Sequence, residues 1–220
     1  LWAIVNNAGV QKGFSVELTG IAEFKDTMEV NAISPVRVTK AFLPLLRQTK
    51  GRVINMISLA GRVTMPHFCP YVMSKFAAVA FTECLKQEMD VWGVKVISVE
   101  PEMFMTPIVL HTVKHIDDTC DSLEKDVRDD YGEKFLKGFK EFFECLTSMS
   151  SNKINVVIDD LESAIALEYP DAVYKPRRNF PARISCYILE HFPRSVVDWF
   201  TRIIFALMGL PTPKEAENTT

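Results

Sequence analysis

Residues 52–75 read RVINMISLAGRVTMPHFCPYVMSK, and the reading of this stretch decides the fold. Residues 52–57 are a short, largely apolar run of the kind that fits a strand buried on both faces. Ser58 ends the run, Tyr71 follows thirteen residues later, and Lys75 comes four after that. If a helix begins near Tyr71, positions i and i+4 share a face, so phenol and ammonium point the same way. A phenol has a reference pKa of about 10 and is a poor acid or base at neutral pH. A cation held close stabilises the phenolate and lowers that value. With a strand-end hydroxyl to orient a substrate oxygen, the three groups make a proton-transfer site for alcohol and carbonyl chemistry.

Taken alone, Tyr-x-x-x-Lys is more often a solvated surface pair. Its company argues otherwise. Upstream, residues 1–5 (LWAIV) form a second buried-strand run that turns at Asn6-Asn7-Ala8-Gly9, and downstream residues 94–99 (VKVISV) form a third that ends at Glu100-Pro101. Helical patterns lie between them, over residues 22–31 and on to 48, and over residues 71–92. Strand, helix, strand, helix, strand at these lengths implies right-handed crossovers and a parallel sheet, an α/β fold. Ligands of such sheets bind at the carboxyl ends of the strands. Asn7, Ser58 and Pro101 all fall at such ends, so one cleft can gather them.

In order and spacing, Asn6-Asn7-Ala8-Gly9, Asn31 in VNAISP, Ser58, Tyr71, Lys75 and VISVEP with Thr106 resemble the short-chain dehydrogenase/reductase family. The wording SVEPEMFMTP looks most like its retinol and hydroxysteroid dehydrogenase branch. The resemblance is specific over residues 1–107. It implies a Rossmann-like, doubly wound parallel sheet, an NAD or NADP cofactor, and a hydrophobic alcohol or ketone as substrate. On that resemblance Tyr71 is the general acid/base, Ser58 orients the substrate oxygen, and Lys75 lowers the tyrosine pKa and holds the ribose. Asn31 would carry a water that links Lys75 to solvent, against the alternative of an amide satisfied inside a bent helix. Asn7, Ala8 and Gly9 would line the cofactor's ribose side, against the alternative of a simple strand-ending turn. Pro101 and Thr106 would contact the nicotinamide end. The family usually has glycine where Glu102 stands; a glutamate there either points at the ring or, the favoured reading, faces solvent.

The remaining chain carries weaker signals. Thr19 is a candidate helix cap, Pro35 and Pro44 predict a break near Asn31, and Gly51 is expected to end the helix before residue 52. On the same resemblance the helices around residues 36–48 and 71–89 would pair across a homodimer, with burial inside one subunit as the alternative. Residues 133–146 (EKFLKGFKEFFECL) put phenylalanines at helical spacing, either as a lid over an apolar substrate or as a cover for the core. Residues 154–167 predict a helix, and residues 180–189 an edge strand or a helix. Residues 196–210 (VVDWFTRIIFALMGL) are too short and too charged to span a bilayer, which takes about 20 apolar residues. They read as an interfacial or lid helix, so peripheral membrane contact is expected, at the endoplasmic reticulum or another intracellular membrane. Residues from Pro211 on are polar and are expected to fray. The expected organisation is one partial domain, with a catalytic core at 1–107, a substrate-side region at 108–195 and an apolar helix and tail at 196–220.

Composition excludes more than it names. A net charge of −3 with no long basic run gives no reason to expect nucleic acid. Five scattered cysteines without C-x-x-C spacing read as thiols in a reducing compartment. His111 and His115 could share a helix face but have no third ligand at a recognisable spacing, so no metal site is expected. The nine glycines never form the G-x-x-x-G-x-G turn that seats a dinucleotide's pyrophosphate at a helix start. The chain is therefore expected to be a fragment of a longer protein. The rival to an enzyme is a non-catalytic fragment or interaction protein without the cofactor-binding half.

Overall fold

The structure, a computed structural model, describes residues 1–210, 212 and 213. In chain order the elements are β1 (Ala3–Asn6), α1 (Ile21–Met28), α2 (Ser34–Thr49), β2 (Arg52–Met56), α3 (Cys69–Asp90), β3 (Lys95–Val99), α4 (Pro107–Asp121) and α5 (Lys125–Tyr131). There follow α6 (Glu133–Ser148), α7 (Asn155–Ala166), β4 (Val173–Tyr174), α8 (Phe180–His191) and α9 (Arg194–Leu207). The strands form a parallel sheet in the order β1-β2-β3-β4, with Val5 beside Ile54, Ile54 beside Ile97 and Val99 beside Tyr174.

Alternation along the strands assigns each face its helices. Val53 and Val96 meet Leu46 of α2 and Leu85 of α3, whereas Ile54, Ile97 and Val99 meet Ala164 of α7. Both faces are covered, which is why the strands read as unbroken apolar runs and why the doubly wound expectation holds. Arg52, buried at the start of β2, donates to the carbonyls of Ala164 and Leu167 at the end of α7 (2.8 and 2.9 Å). That placement sets a cation against the negative end of the helix.

The predicted break falls where proline logic puts it. Pro35 has no N–H to give the carbonyl of residue 31 four positions earlier. Glu29–Ile33 accordingly widens into one π turn, and the Ser34 N–H reaches back to the Glu29 carbonyl. Two local expectations differ. Thr19 caps no helix; Gly20 holds that position, and the Thr19 hydroxyl accepts from the Phe14 N–H (2.8 Å). The left-handed residue that ends α2 is Lys50 (φ 49°), while Gly51 is small for another reason. A Cβ at Gly51 would lie 2.8 Å from the carbonyl oxygens of Leu1 and Trp2.

Residues 180–189 belong to a helix, not a strand. Pro181 sits in the first turn, where a missing N–H costs nothing, and the Asn179 side chain caps the Ala182 N–H (2.9 Å). The expectation of a frayed polar tail lies outside the described residues, Thr212 and Pro213 apart. Among the described residues no helix is long and apolar enough to cross a membrane.

Candidate active site

The β2–β3 ladder continues past the strands: the Ile57 N–H donates to Val99 and the Leu59 N–H to the Pro101 carbonyl, each at 2.8 Å. Ser58 and Pro101 are thereby held side by side at the carboxyl end of the sheet. The Ser58 hydroxyl accepts from the Ala60 N–H (3.1 Å) and opens a short 3-10 turn, Leu59–Gly61. A Cβ on Gly61 would lie 2.8 Å from Val79 Cγ2 and 2.9 Å from the Lys75 carbonyl oxygen. Glycine therefore lets this turn rest directly on α3. Tyr71 lies in the first turn of that helix, with the Ser58 side chain near enough to its phenol to favour the phenolate.

Lys75 is 4% exposed, donates to the Met56 carbonyl (3.1 Å), and sits with Nζ 5.5 Å from the centre of the Tyr71 ring. Burial pulls its pKa down from 10.5 to about 8. Burial also pushes the Tyr71 phenol above its ordinary value, and the nearby Ser58 side chain opposes this without overcoming it. The net direction differs from the expected lowering by Lys75. In this protein both groups are desolvated, and loss of water disfavours phenolate and ammonium alike.

Asn31 is drawn into the same place. It is buried, donates from Nδ2 to the Val10 carbonyl (2.8 Å) and to Ser74 Oγ (2.9 Å), and accepts from the Val10 N–H (2.8 Å). Those are three of the four hydrogen bonds an amide side chain can make, leaving one lone pair on Oδ1. A Cβ built on Gly9 would lie 3.6 Å from that Oδ1 and 3.8 Å from Lys75 Nζ. The β1 turn, Asn31 and Lys75 thus converge on Gly9, while Asn7, Ala8 and Gly9 are themselves exposed. Thr106 precedes α4 without capping it through its side chain.

Glu102 corrects the favoured reading. Its carboxylate is 5% exposed and faces Arg178, which donates through Nε (3.0 Å), Nη2 (2.9 Å) and its backbone N–H. Its φ is not positive, since Lys50 and His67 are the non-glycine residues with that sign among those described. The usual glycine is therefore not required by backbone conformation here. Asp117 on α4 pairs with Lys140 on α6 (2.8 Å). His115 lies 3.7 Å from Asp118, and no metal-holding group of three His, Cys, Asp or Glu occurs among the described residues.

The phenylalanines of α6 are filled by one another. Phe135, Phe139, Phe142 and Phe143 are buried together with Phe14, Phe68, Ile116 and Phe205, and Met65 and Tyr71 pack against this cluster. It is a core in its own right and also the apolar wall beside Tyr71. Sequence reasoning missed the polar struts under the site. Asn6 donates to Asn55 Oδ1 (2.8 Å) and Asn55 to Thr82 (2.8 Å), joining β1, β2 and α3. It also missed Arg62, which grips Glu100. The signal available was a glutamate ending an apolar strand, a charge that needs a partner.

Residues 1–117 match the family model described as short chain dehydrogenase. The chain is 36% identical over 202 residues to the mitochondrial D-beta-hydroxybutyrate dehydrogenase of Rattus norvegicus, covering 90% of this chain and 59% of that protein. It is 34% identical over 219 residues to the 17-beta-hydroxysteroid dehydrogenase type 2 of Homo sapiens, covering 97% and 56%. It is 31% identical to the retinol dehydrogenase 7 of Mus musculus, covering 90% and 62%. The chain thus spans less than two thirds of the length of these relatives. A crystal structure of a short chain dehydrogenase from Burkholderia cenocepacia in complex with NADP superposes over 91% of this chain and 70% of its own, with a TM-score of 0.66 and 20% identity. That likeness shows the fold. The chain belongs to the short-chain dehydrogenase family.

Proposed function

We propose that this chain carries the catalytic part of an NAD(P)-dependent oxidoreductase that interconverts a hydrophobic alcohol, of the retinol or steroid kind, and its carbonyl. The observation that carries the reading is the approach of Ser58 to Tyr71 beside a buried, under-bonded lysine. An ammonium has three donors. Among the described residues, Lys75 gives one to Met56, which leaves two for hydroxyls of a ribose lying along Asn7, Ala8 and Gly9. Thr106, whose hydroxyl caps nothing, and Pro101 would meet the nicotinamide end. A bound nicotinamide cofactor supplies the hydride exchange with the substrate carbon.

The protein's own part is the proton. Ser58 orients the substrate oxygen, and Tyr71 gives or takes its proton. With its pKa raised, the phenol holds that proton at neutral pH and is ready for carbonyl reduction. Alcohol oxidation requires the phenolate, which Lys75 stabilises, with the free lone pair of Asn31 as the acceptor for a relay water. The aromatic wall of α6 supports an apolar substrate over a small polar one. The relatives' names, hydroxysteroid and retinol dehydrogenase among them, support the same class.

Two surfaces support the expected partners. Val38, Phe42 and Leu45 stay exposed on α2, and Ala80 on α3, as pairing with a second copy would use. On α9, Trp199, Phe200, Ile204 and Leu207 form an exposed apolar face that suits peripheral contact with an intracellular membrane.

The test is titration of the 220-residue chain with NADH and NADPH by nicotinamide fluorescence, followed by turnover of a retinoid or steroid. Saturable binding and turnover that falls about 10²- to 10⁴-fold in Tyr71→Phe are expected. Binding without any dependence on Tyr71 sinks the mechanism. No binding means that this length of chain does not hold the cofactor by itself, as the non-catalytic rival requires.

A further inference from the structure

We propose that Arg62 is a positioning residue for the Ser58–Tyr71 pair, a guanidinium that ties the Ser58 turn at once to α3 and to the end of β3. Arg62 directly follows the Leu59–Gly61 turn, and its N–H closes that turn on the Leu59 carbonyl. Nη1 binds Glu83 on α3 (2.7 Å), while Nε and Nη2 take both carboxylate oxygens of Glu100 (3.1 and 2.8 Å). Glu100 is fully buried, also accepts from Ser98 Oγ (2.9 Å), and immediately precedes Pro101.

The energetics make this a clamp. A buried carboxylate is costly unless paired, and a two-pronged guanidinium fixes direction as well as charge. Glu100 is itself held, because its carbonyl accepts from Arg177 Nη1 (2.7 Å) and its N–H donates to the Tyr174 carbonyl (2.8 Å). The pull on Arg62 therefore comes from a fixed point. It draws the Ser58 turn toward β3, while Glu83 and the Gly61 contact draw it onto α3. Ser58 and Tyr71 stand on the two parts so joined. A cavity of about 210 Å³ lined by Arg62, Glu83, Thr82 and Ser98 lies beside the guanidinium, so water can enter when the side chain is shortened.

The proposal rests on the reading of Tyr71 as acid/base, and its test has a readout that needs no turnover. Tyrosine is labelled at ¹³Cζ, and Tyr71 is assigned by its loss in Tyr71→Phe. In Arg62→Met the Tyr71 resonance is expected to move as Ser58 shifts away from the phenol, and Arg62→Lys, which keeps charge without the fork, to restore part of it. Turnover in Arg62→Met is expected to fall about 10- to 100-fold with KM unchanged. A folded Arg62→Met whose Tyr71 resonance is unmoved overturns the proposal, whatever its melting temperature. If Arg62→Met does not fold, Glu83→Ala decides: it removes only the contact to a half-exposed carboxylate, and an unmoved Tyr71 resonance again overturns it. Wild-type protein without turnover counts against the proposed function and leaves the resonance to judge the clamp.

Discussion

The region up to Thr106 and the region beyond it hold together by different physics. In the first, directed bonds do the fixing: the parallel ladder, the Asn6–Asn55–Thr82 chain, Asn31 on Val10 and Ser74, and Arg62 on Glu100. In the second, α6 is held by ring-on-ring packing, with Phe143 touching Phe14, Phe68, Phe139 and Phe142 at 4.9–5.5 Å between centres. Hydrogen bonds specify angle, as proton transfer demands. Aromatic packing specifies volume, and it can be repacked without moving Ser58, Tyr71 or Lys75.

This contrast can be broken from either side. Phe143→Ala is expected to cost about 3–5 kcal/mol in urea denaturation, with no change in how stability varies with pH. A loss below about 1 kcal/mol would mean the cluster is loose and not a core. Lys75→Met addresses the other region. Its folded pKa of about 8 lies below the unfolded 10.5, so between those values the unfolded chain binds more protons. Stability of the ligand-free protein should therefore rise as pH climbs from 8 to 10.5, by up to about 3 kcal/mol. Lys75→Met should abolish that rise; an identical pH profile in wild type and variant would show that Lys75 is not desolvated. The smallest effect concerns the tie between the regions. Glu102→Gln, which weakens the bond to Arg178, is expected to cost about 1–3 kcal/mol, read as a lower melting temperature. A neutral result would show that Arg178 adds nothing to the tie already made by the β3–β4 ladder, Arg52 and Arg177.

The sheet and the grouping of the candidate site residues were legible for the same reason the first region is rigid. Burial on both faces writes strands as unbroken apolar runs, and the i, i+4 spacing of Tyr71 and Lys75 survives in the helix. The break at Asn31 was legible because Pro35 removes one named donor. β4 was not, since two residues carry no periodicity. Residues 180–189 stayed open between edge strand and helix because Pro181 reads as a breaker unless it is placed at a helix start. Glu102 seemed a solvent-facing charge because its partner, Arg178, lies far along the chain, where no local pattern connects them.

The sheet also sets a timetable. Each rung joins residues dozens of positions apart: Ala3 to Arg52, Arg52 to Lys95, Ser98 to Val173. Loop-closure entropy must be spent before any rung forms, which makes such sheets slow to assemble. The contacts within α6 are local and form early. A refolding chain therefore carries its phenylalanine stripe, finished but uncovered, while the strands that precede it are still searching for their neighbours. For this protein, that interval carries a hazard of aggregation.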